Sequence, residues 1–108
     1  ADMYGKIENT FAGGGVSGMI NRMGGRGLVI DGGCLDKEEI LATIPDFTVY
    51  VRGWHPTHLH GVMLTGMNCP VRIGEASVMP GDVVLGGHEG VLFIPPHLAE
   101  EIVDRYAK

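Results

Sequence analysis

Apolar positions along this chain arrive in short unbroken runs separated by glycine-rich reversals, a pattern of several short elements rather than long helices. Leu28-Val29-Ile30 is the sharpest run, as expected of a strand covered on both faces, and Asp31-Gly32-Gly33 after it predicts a tight turn. A helix is predicted over residues 36–44, ended by Pro45, and the β-rich run Thr48-Val49-Tyr50-Val51-Arg52 follows. Strand, helix and strand in that order form a crossover unit, so the sheet is expected to be at least partly parallel. Ahead of this unit, residues 11–16 read as a loop. Ser17 is placed to cap a short helix carrying Met19, Ile20 and Met23, which Gly24-Gly25 stops. Beyond Arg52 the pattern changes. Residues 53–60 read as a loop, and short strands are expected at 62–64, 71–73, 83–85 and 91–94. The last two are expected to pair as an antiparallel hairpin across residues 86–90. Pro96 opens a closing helix whose Leu98, Ile102, Val103 and Tyr106 share one face. No linker or repeat interrupts the chain, and a single domain over residues 1–108 is expected.

The junction between the first strand and its helix concentrates candidate chemistry. Asp36-Lys37-Glu38-Glu39 reads as a variant capping box, in which Asp36 accepts amide hydrogens of the first turn and Glu39 reaches back. The same place, at the carboxyl end of a strand beside a helix N-terminus, is where ligands gather in open α/β sheets. Asp36 is therefore equally a candidate functional residue. Gly13-Gly14-Gly15 offers backbone amides to an anion such as a carboxylate, but lacks the Lys-Ser/Thr of a phosphate-binding loop. His55, His58 and His60 lie close together beside Trp54 and Asp46; they read either as a transition-metal site or as ordinary surface histidines. Cys34, just before the helix, is either a thiol whose pKa the helix dipole lowers or a buried packing residue. Neither Ser17 nor Ser77 sits in a Gly-x-Ser-x-Gly frame, which disfavours serine hydrolase chemistry.

Composition narrows the classes further. A chain of 108 residues buries only about 60 to 65% of its extended surface, so its core is modest and oligomerisation would help. The net charge of -5, with no run of Lys or Arg, argues against nucleic acid or an anionic membrane as partner. Cys34 and Cys69 are too few for a disulfide framework or a thiolate zinc site. No basic, apolar signal segment opens the chain, and no stretch of about 18 apolar residues occurs, so a cytoplasmic location is expected.

Three blocks, in order, resemble a known family. Gly27-Leu28-Val29-Ile30-Asp31-Gly32-Gly33-Cys34-Leu35-Asp36 is similar to the Val-Val-x-Asp-Gly-x-x-Arg-Asp segment of the RraA-like proteins, which include regulators of ribonuclease E and 4-hydroxy-4-methyl-2-oxoglutarate aldolases. Cys69-Pro70-Val71-Arg72-Ile73-Gly74-Glu75-Ala76-Ser77-Val78-Met79-Pro80-Gly81-Asp82 resembles the family's Pro-Val-x-x-Gly-x-x-Val-x-Pro-Gly-Asp run, and Glu89-Gly90-Val91-Leu92-Phe93-Ile94-Pro95 its Asp-Gly-Val-Val-x-x-Pro ending. The resemblance implies an α/β layered sandwich of the swivelling β/β/α type with a mixed sheet, associating as a homotrimer or larger ring with sites between subunits. It also implies that this chain is the C-terminal portion of the family domain, leaving sheet edge and apolar surface for a partner to cover.

The same resemblance implies a divalent-metal-dependent lyase acting on small 2-oxo acids, an aldolase or oxaloacetate decarboxylase. Asp36 matches the aspartate that positions Mg²⁺, and Glu39 matches the acid three positions later. The amides of Gly13, Gly14, Gly15 and Val16 would receive the substrate carboxylate. Two positions depart from the pattern. Leu35 stands where the family has an arginine that holds and polarises the pyruvate-like moiety, and Gly14 where its loop carries an acid. Losing one positioned donor costs about 100- to 1000-fold in rate. Either another cation replaces it, with Arg22, Arg26, Arg52 and Arg72 as candidates, or this member does not carry out the standard aldol cleavage. The alternative within the family is a non-catalytic, protein-binding regulator of the ribonuclease E type. A third reading gives the histidine cluster a metal and a reaction of its own.

Overall fold

Strand β2 (Gly27–Cys34) is the centre of the first of two units in the computed structural model, which describes residues 1–107. The units are Ala1–Thr65 and the residues from Gly66 onward. In the first, β1 (Thr10–Ala12) and β3 (Thr48–Trp54) flank β2, both parallel to it, in the order β1-β2-β3. Helix α1 (Gly14–Arg22) joins β1 to β2, and α2 (Lys37–Thr43) joins β2 to β3. Parallel neighbours require such crossovers, so two strand-helix-strand units follow one another where the sequence pattern announced one.

Glycine explains most differences from the sequence reading. The expected turn at Asp31-Gly32-Gly33 is strand instead, with a register shift between Ile30 and Gly33 against β3. A Cβ at Gly33 would collide with the Ile7 carbonyl oxygen, so this glycine permits a close backbone approach rather than a reversal. The loop expected at 11–16 is the end of β1 and the start of α1. Gly13, not Ser17, holds the N-cap of α1; Ser17 lies inside the helix, fully buried. Residues 62–64 form no strand.

The first unit's core joins the sheet to α2. Ala12, Ile30, Cys34, Ile40, Ile44 and Phe47 bury together, with Ile40 only 1% exposed. Each large aliphatic side chain buried this way contributes about 1.5–3 kcal/mol, and this packing fixes the first turn of α2 against the end of β2.

In the second unit, β4 (Val71–Ile73) pairs antiparallel with β5 (Ala76–Val78), a strand too short and polar to be expected. β6 (Val83–Gly87) pairs antiparallel with β7 (Gly90–Ile94), and the Gly87–Gly90 pairing leaves a two-residue turn, His88-Glu89, rather than a five-residue connection. Helix α3 (Pro96–Tyr106) begins with Pro96 in its first turn and carries a Glu101–Arg105 ion pair at 2.6 Å. Its Val103 and Tyr106 are exposed. The class is α/β, with a parallel sheet and antiparallel pairs formed separately among the described residues. No helix among them is long and apolar enough to cross a membrane.

Candidate functional site

All three strands of the parallel sheet end along one edge. Ala12, Cys34 and Trp54, the last residues of β1, β2 and β3, stand side by side in register. The ladder runs one step further: the Leu35 amide donates to the Ala12 carbonyl at 2.9 Å, and the His55 amide to the Cys34 carbonyl at 3.0 Å. Leu35 and His55 are thereby neighbours where two strands give way to loops, about 5 Å apart along the hydrogen-bonding direction. Carboxyl edges of this kind are where α/β sheets bind ligands.

Asp36 occupies the N-cap position of α2, as the spacing predicts, yet its side chain makes no capping bond to that helix. The reason is its backbone. With φ 60° and ψ 42°, Asp36 is left-handed, whereas a residue that caps its own helix is extended, so the carboxylate turns away from α2. Its Oδ2 instead accepts the Gly14 amide at 2.9 Å. Asp36 thus caps α1, whose own N-cap, Gly13, has no side chain to offer, and puts negative charge at that helix's positive end.

The two glycines make this possible. A Cβ on Gly13 would lie 2.6 Å from Asp36 Oδ2, and one on Gly14 would lie 2.5 Å from the Glu39 carboxylate. Two exposed carboxylates therefore converge on the first turn of α1. Of the amides expected to receive an anion, that of Gly14 is given to Asp36. Those of Gly15 and Val16, on exposed residues of the same turn, belong to the set that has no intrahelical acceptor.

Beside Asp36 opens a cleft of about 400 Å³, walled by Leu35, Asp36, Trp54, His55 and His58 among others. The Lys37 ammonium lies 5.9 Å from the centroid of the Trp54 ring, a cation–π contact. No arginine among the described residues lines this cleft. Arg52 pairs instead with the buried Asp31, and Arg72 Nε donates to the Gly74 carbonyl at 2.8 Å. His55, His58 and His60 are not assembled as a metal centre: among the described residues no three His, Cys, Asp or Glu side chains group to hold an ion. His60 Nδ1 lies 2.9 Å from the His58 carbonyl oxygen.

Cys34 is not an activated thiol. Burial pushes its pKa up from 9.0 to about 11, and the nearby Asp36 charge pushes the same way, outweighing a backbone hydrogen bond from Leu35 that favours the thiolate. The helix dipole, expected to lower it, is outweighed because the thiol is inaccessible. The neighbourhood of His55 and Leu35 escaped the sequence reading. The signal that could have found it is the in-register parallel pairing of residues 27–34 with 48–54.

Among known proteins, the profile of the RraA-like family, described as Aldolase/RraA, matches residues 1–93. A Halalkalibacterium halodurans protein named "Putative 4-hydroxy-4-methyl-2-oxoglutarate aldolase" is 28% identical over 107 residues, covering 99% of this chain and 50% of that protein. An uncharacterized protein of Methanocaldococcus jannaschii is 33% identical over 100 residues, covering 93% of this chain and 47% of its own length. The crystal structure of Streptomyces coelicolor RraAS2, described as an unusual member of the RNase ES inhibitor RraA protein family, superposes with a TM-score of 0.84 at 26% identity. That match covers 96% of this chain and 52% of the other. The chain spans about half the length of the curated relatives it matches.

Proposed function

Because this chain belongs to the RraA-like family, we propose that it is a divergent member acting as a divalent-metal-dependent lyase on 2-oxo acids, of the 4-hydroxy-4-methyl-2-oxoglutarate aldolase or oxaloacetate decarboxylase kind. The observation that carries this reading is the convergence of Asp36 and Glu39 on the glycine start of α1 at the carboxyl edge of the sheet. A left-handed Asp36 supports it, since backbone held in a sparsely populated region gathers at functional sites.

The donor chemistry fits a hydrated Mg²⁺. That ion prefers hard oxygen, is commonly held by one or two carboxylates, and keeps several waters. Asp36 has one carboxylate oxygen on Gly14 and presents the other at an exposed position, with Glu39 beside it as the second acid. When bound, Mg²⁺ supplies Lewis-acid polarisation of the 2-oxo group. The chain's own residues do the rest. The Gly15 and Val16 amides bind the substrate carboxylate at the positive end of α1, beside the Gly13-Gly14 pair that admits the two acids. Glu39 takes the proton of the 4-hydroxyl as the C3–C4 bond breaks, and the bond's electron pair passes into the pyruvate half, which solvent reprotonates at C3.

A second reading follows from Leu35. An apolar side chain where relatives of this family carry arginine suits a binding scaffold, and the structural likeness to Streptomyces coelicolor RraAS2 points to a protein partner. A homotrimeric ring belongs to both readings; the exposed Leu85, Leu92 and Val103 are apolar surface of the kind such an assembly covers. Pyruvate release from 4-hydroxy-4-methyl-2-oxoglutarate, followed by coupled reduction with lactate dehydrogenase, separates the readings. The lyase reading expects release with Mg²⁺ that chelator abolishes. No release above the buffer rate with Mg²⁺ present would leave the scaffold as the function.

A further inference from the structure

On the premise that the lyase reading holds, one demand of that chemistry has no residue assigned to it: a donor for the 2-oxo acid where Leu35 offers none. We propose that His55 fills it, donating to the 2-oxo oxygen of a small 2-oxo acid in the cleft beside Asp36 and doing from the end of β3 what an arginine at position 35 would do from the end of β2.

Placement is the first argument. His55 is the lateral neighbour of Leu35, joined to β2 by its amide bond to the Cys34 carbonyl, and both side chains wall the same cleft. Orientation is the second. His55 Nδ1 accepts the Thr57 amide at 3.2 Å, so a neutral ring carries its proton on Nε2 and has that N–H to give. The loop that makes this bond is itself tied down: the Thr57 carbonyl accepts the hydroxyl of Thr10, which is 1% exposed on β1. The ring is thus oriented by its own loop and that loop by the sheet, as a binding group needs.

Surroundings are the third argument. No arginine among the described residues competes for the cleft, while His58 shares its wall and the Lys37 ammonium stands over Trp54 on its border. With Asp36 on the wall and Glu39 beside it, the Lys37 ammonium and the imidazole N–H groups are the donors available to a ligand oxygen, and Trp54 adds an apolar surface. A single N–H in place of a forked guanidinium predicts weaker binding than an arginine would give.

Oxalate, a planar dianion shaped like the enolate of pyruvate, is the probe, titrated with Mg²⁺ present at fixed pH. Two readouts are needed: calorimetric affinity, and long-range proton–nitrogen NMR of the histidine rings in the unmutated chain. Oxalate is expected to shift the His55 Nε2 resonance. His55→Ala is expected to weaken binding by about 10- to 100-fold, the worth of a hydrogen bond to a charged group, and His55→Gln, which keeps a donor, by less. Oxalate that binds without moving the His55 resonance, and with equal affinity to His55→Ala, overturns this assignment and leaves the lyase reading standing. No oxalate binding by the unmutated chain overturns both.

Discussion

Replacing Asp36 separates its structural from its chemical role, because alanine removes both and asparagine only one. In the structure the residue holds the Gly14 amide at 2.9 Å from a left-handed backbone. Losing a helix cap costs about 1 kcal/mol, within a range of about 0.5–2. Alanine also has no side-chain oxygen to ease the left-handed conformation, which costs L-residues roughly 1–2 kcal/mol. Part of that cost is already present with aspartate, so Asp36→Ala should destabilise by about 2 kcal/mol in total. Asparagine tolerates the same backbone and keeps an oxygen for Gly14, so Asp36→Asn should stay within about 0.5 kcal/mol of the unmutated chain. At about 4–8 °C per kcal/mol for a domain of about this size, the alanine variant should melt roughly 10 °C lower and the asparagine variant within a few degrees. Thermal unfolding followed by circular dichroism reads this directly. Should asparagine melt as low as alanine, a neutral oxygen cannot hold α1 and the assigned bond is not what stabilises the junction.

Further expectations follow from the core and its charges. Ile40→Ala should cost about 2–5 kcal/mol in urea unfolding, since Ile40 is 1% exposed and packs between α2 and the sheet. Removing one partner of the buried Asp31 by Arg52→Ala should cost about 1–3 kcal/mol, read in the same assay, while leaving oxalate affinity unchanged because Arg52 lies outside the cleft. For Cys34 the folded-state pKa, about 11, lies above its ordinary 9.0, so the folded state holds the proton more tightly. Its stabilisation is complete below pH 9 and fades between pH 9 and 11; at about 1.4 kcal/mol per unit, unfolding in urea should ease by roughly 2–3 kcal/mol over that interval. At neutral pH, Ellman's reagent should modify Cys69 and reach Cys34 only when the chain opens.

What was legible in the sequence is whatever depends on near neighbours. Leu28-Val29-Ile30 marks β2, Pro45 stops α2, and the spacing from β2 to Thr48 demands a crossover, because periodicity and turn chemistry act over a few residues. Gly33 misled because a glycine that admits another backbone looks the same as one that reverses the chain. The site shows the limit most clearly. Position alone puts Asp36 at an N-cap, but the amide it caps is 22 residues away on another helix, and only parallel pairing of β1 with β2 brings the two together. Likewise the relation of His55 to Leu35 is a matter of register, which hydrophobic pattern leaves open when a strand is apolar on both faces.

The most direct measurement is the Mg²⁺-dependent release of pyruvate from oxaloacetate by the unmutated chain and by Asp36→Asn, each corrected for the rate that the metal alone supports. The unmutated chain is expected to release pyruvate, chelator to abolish that release, and the asparagine variant to lose it despite a preserved melting temperature. Equal rates in the two proteins would contradict this expectation, because the Asp36 carboxylate would then take no part in the chemistry.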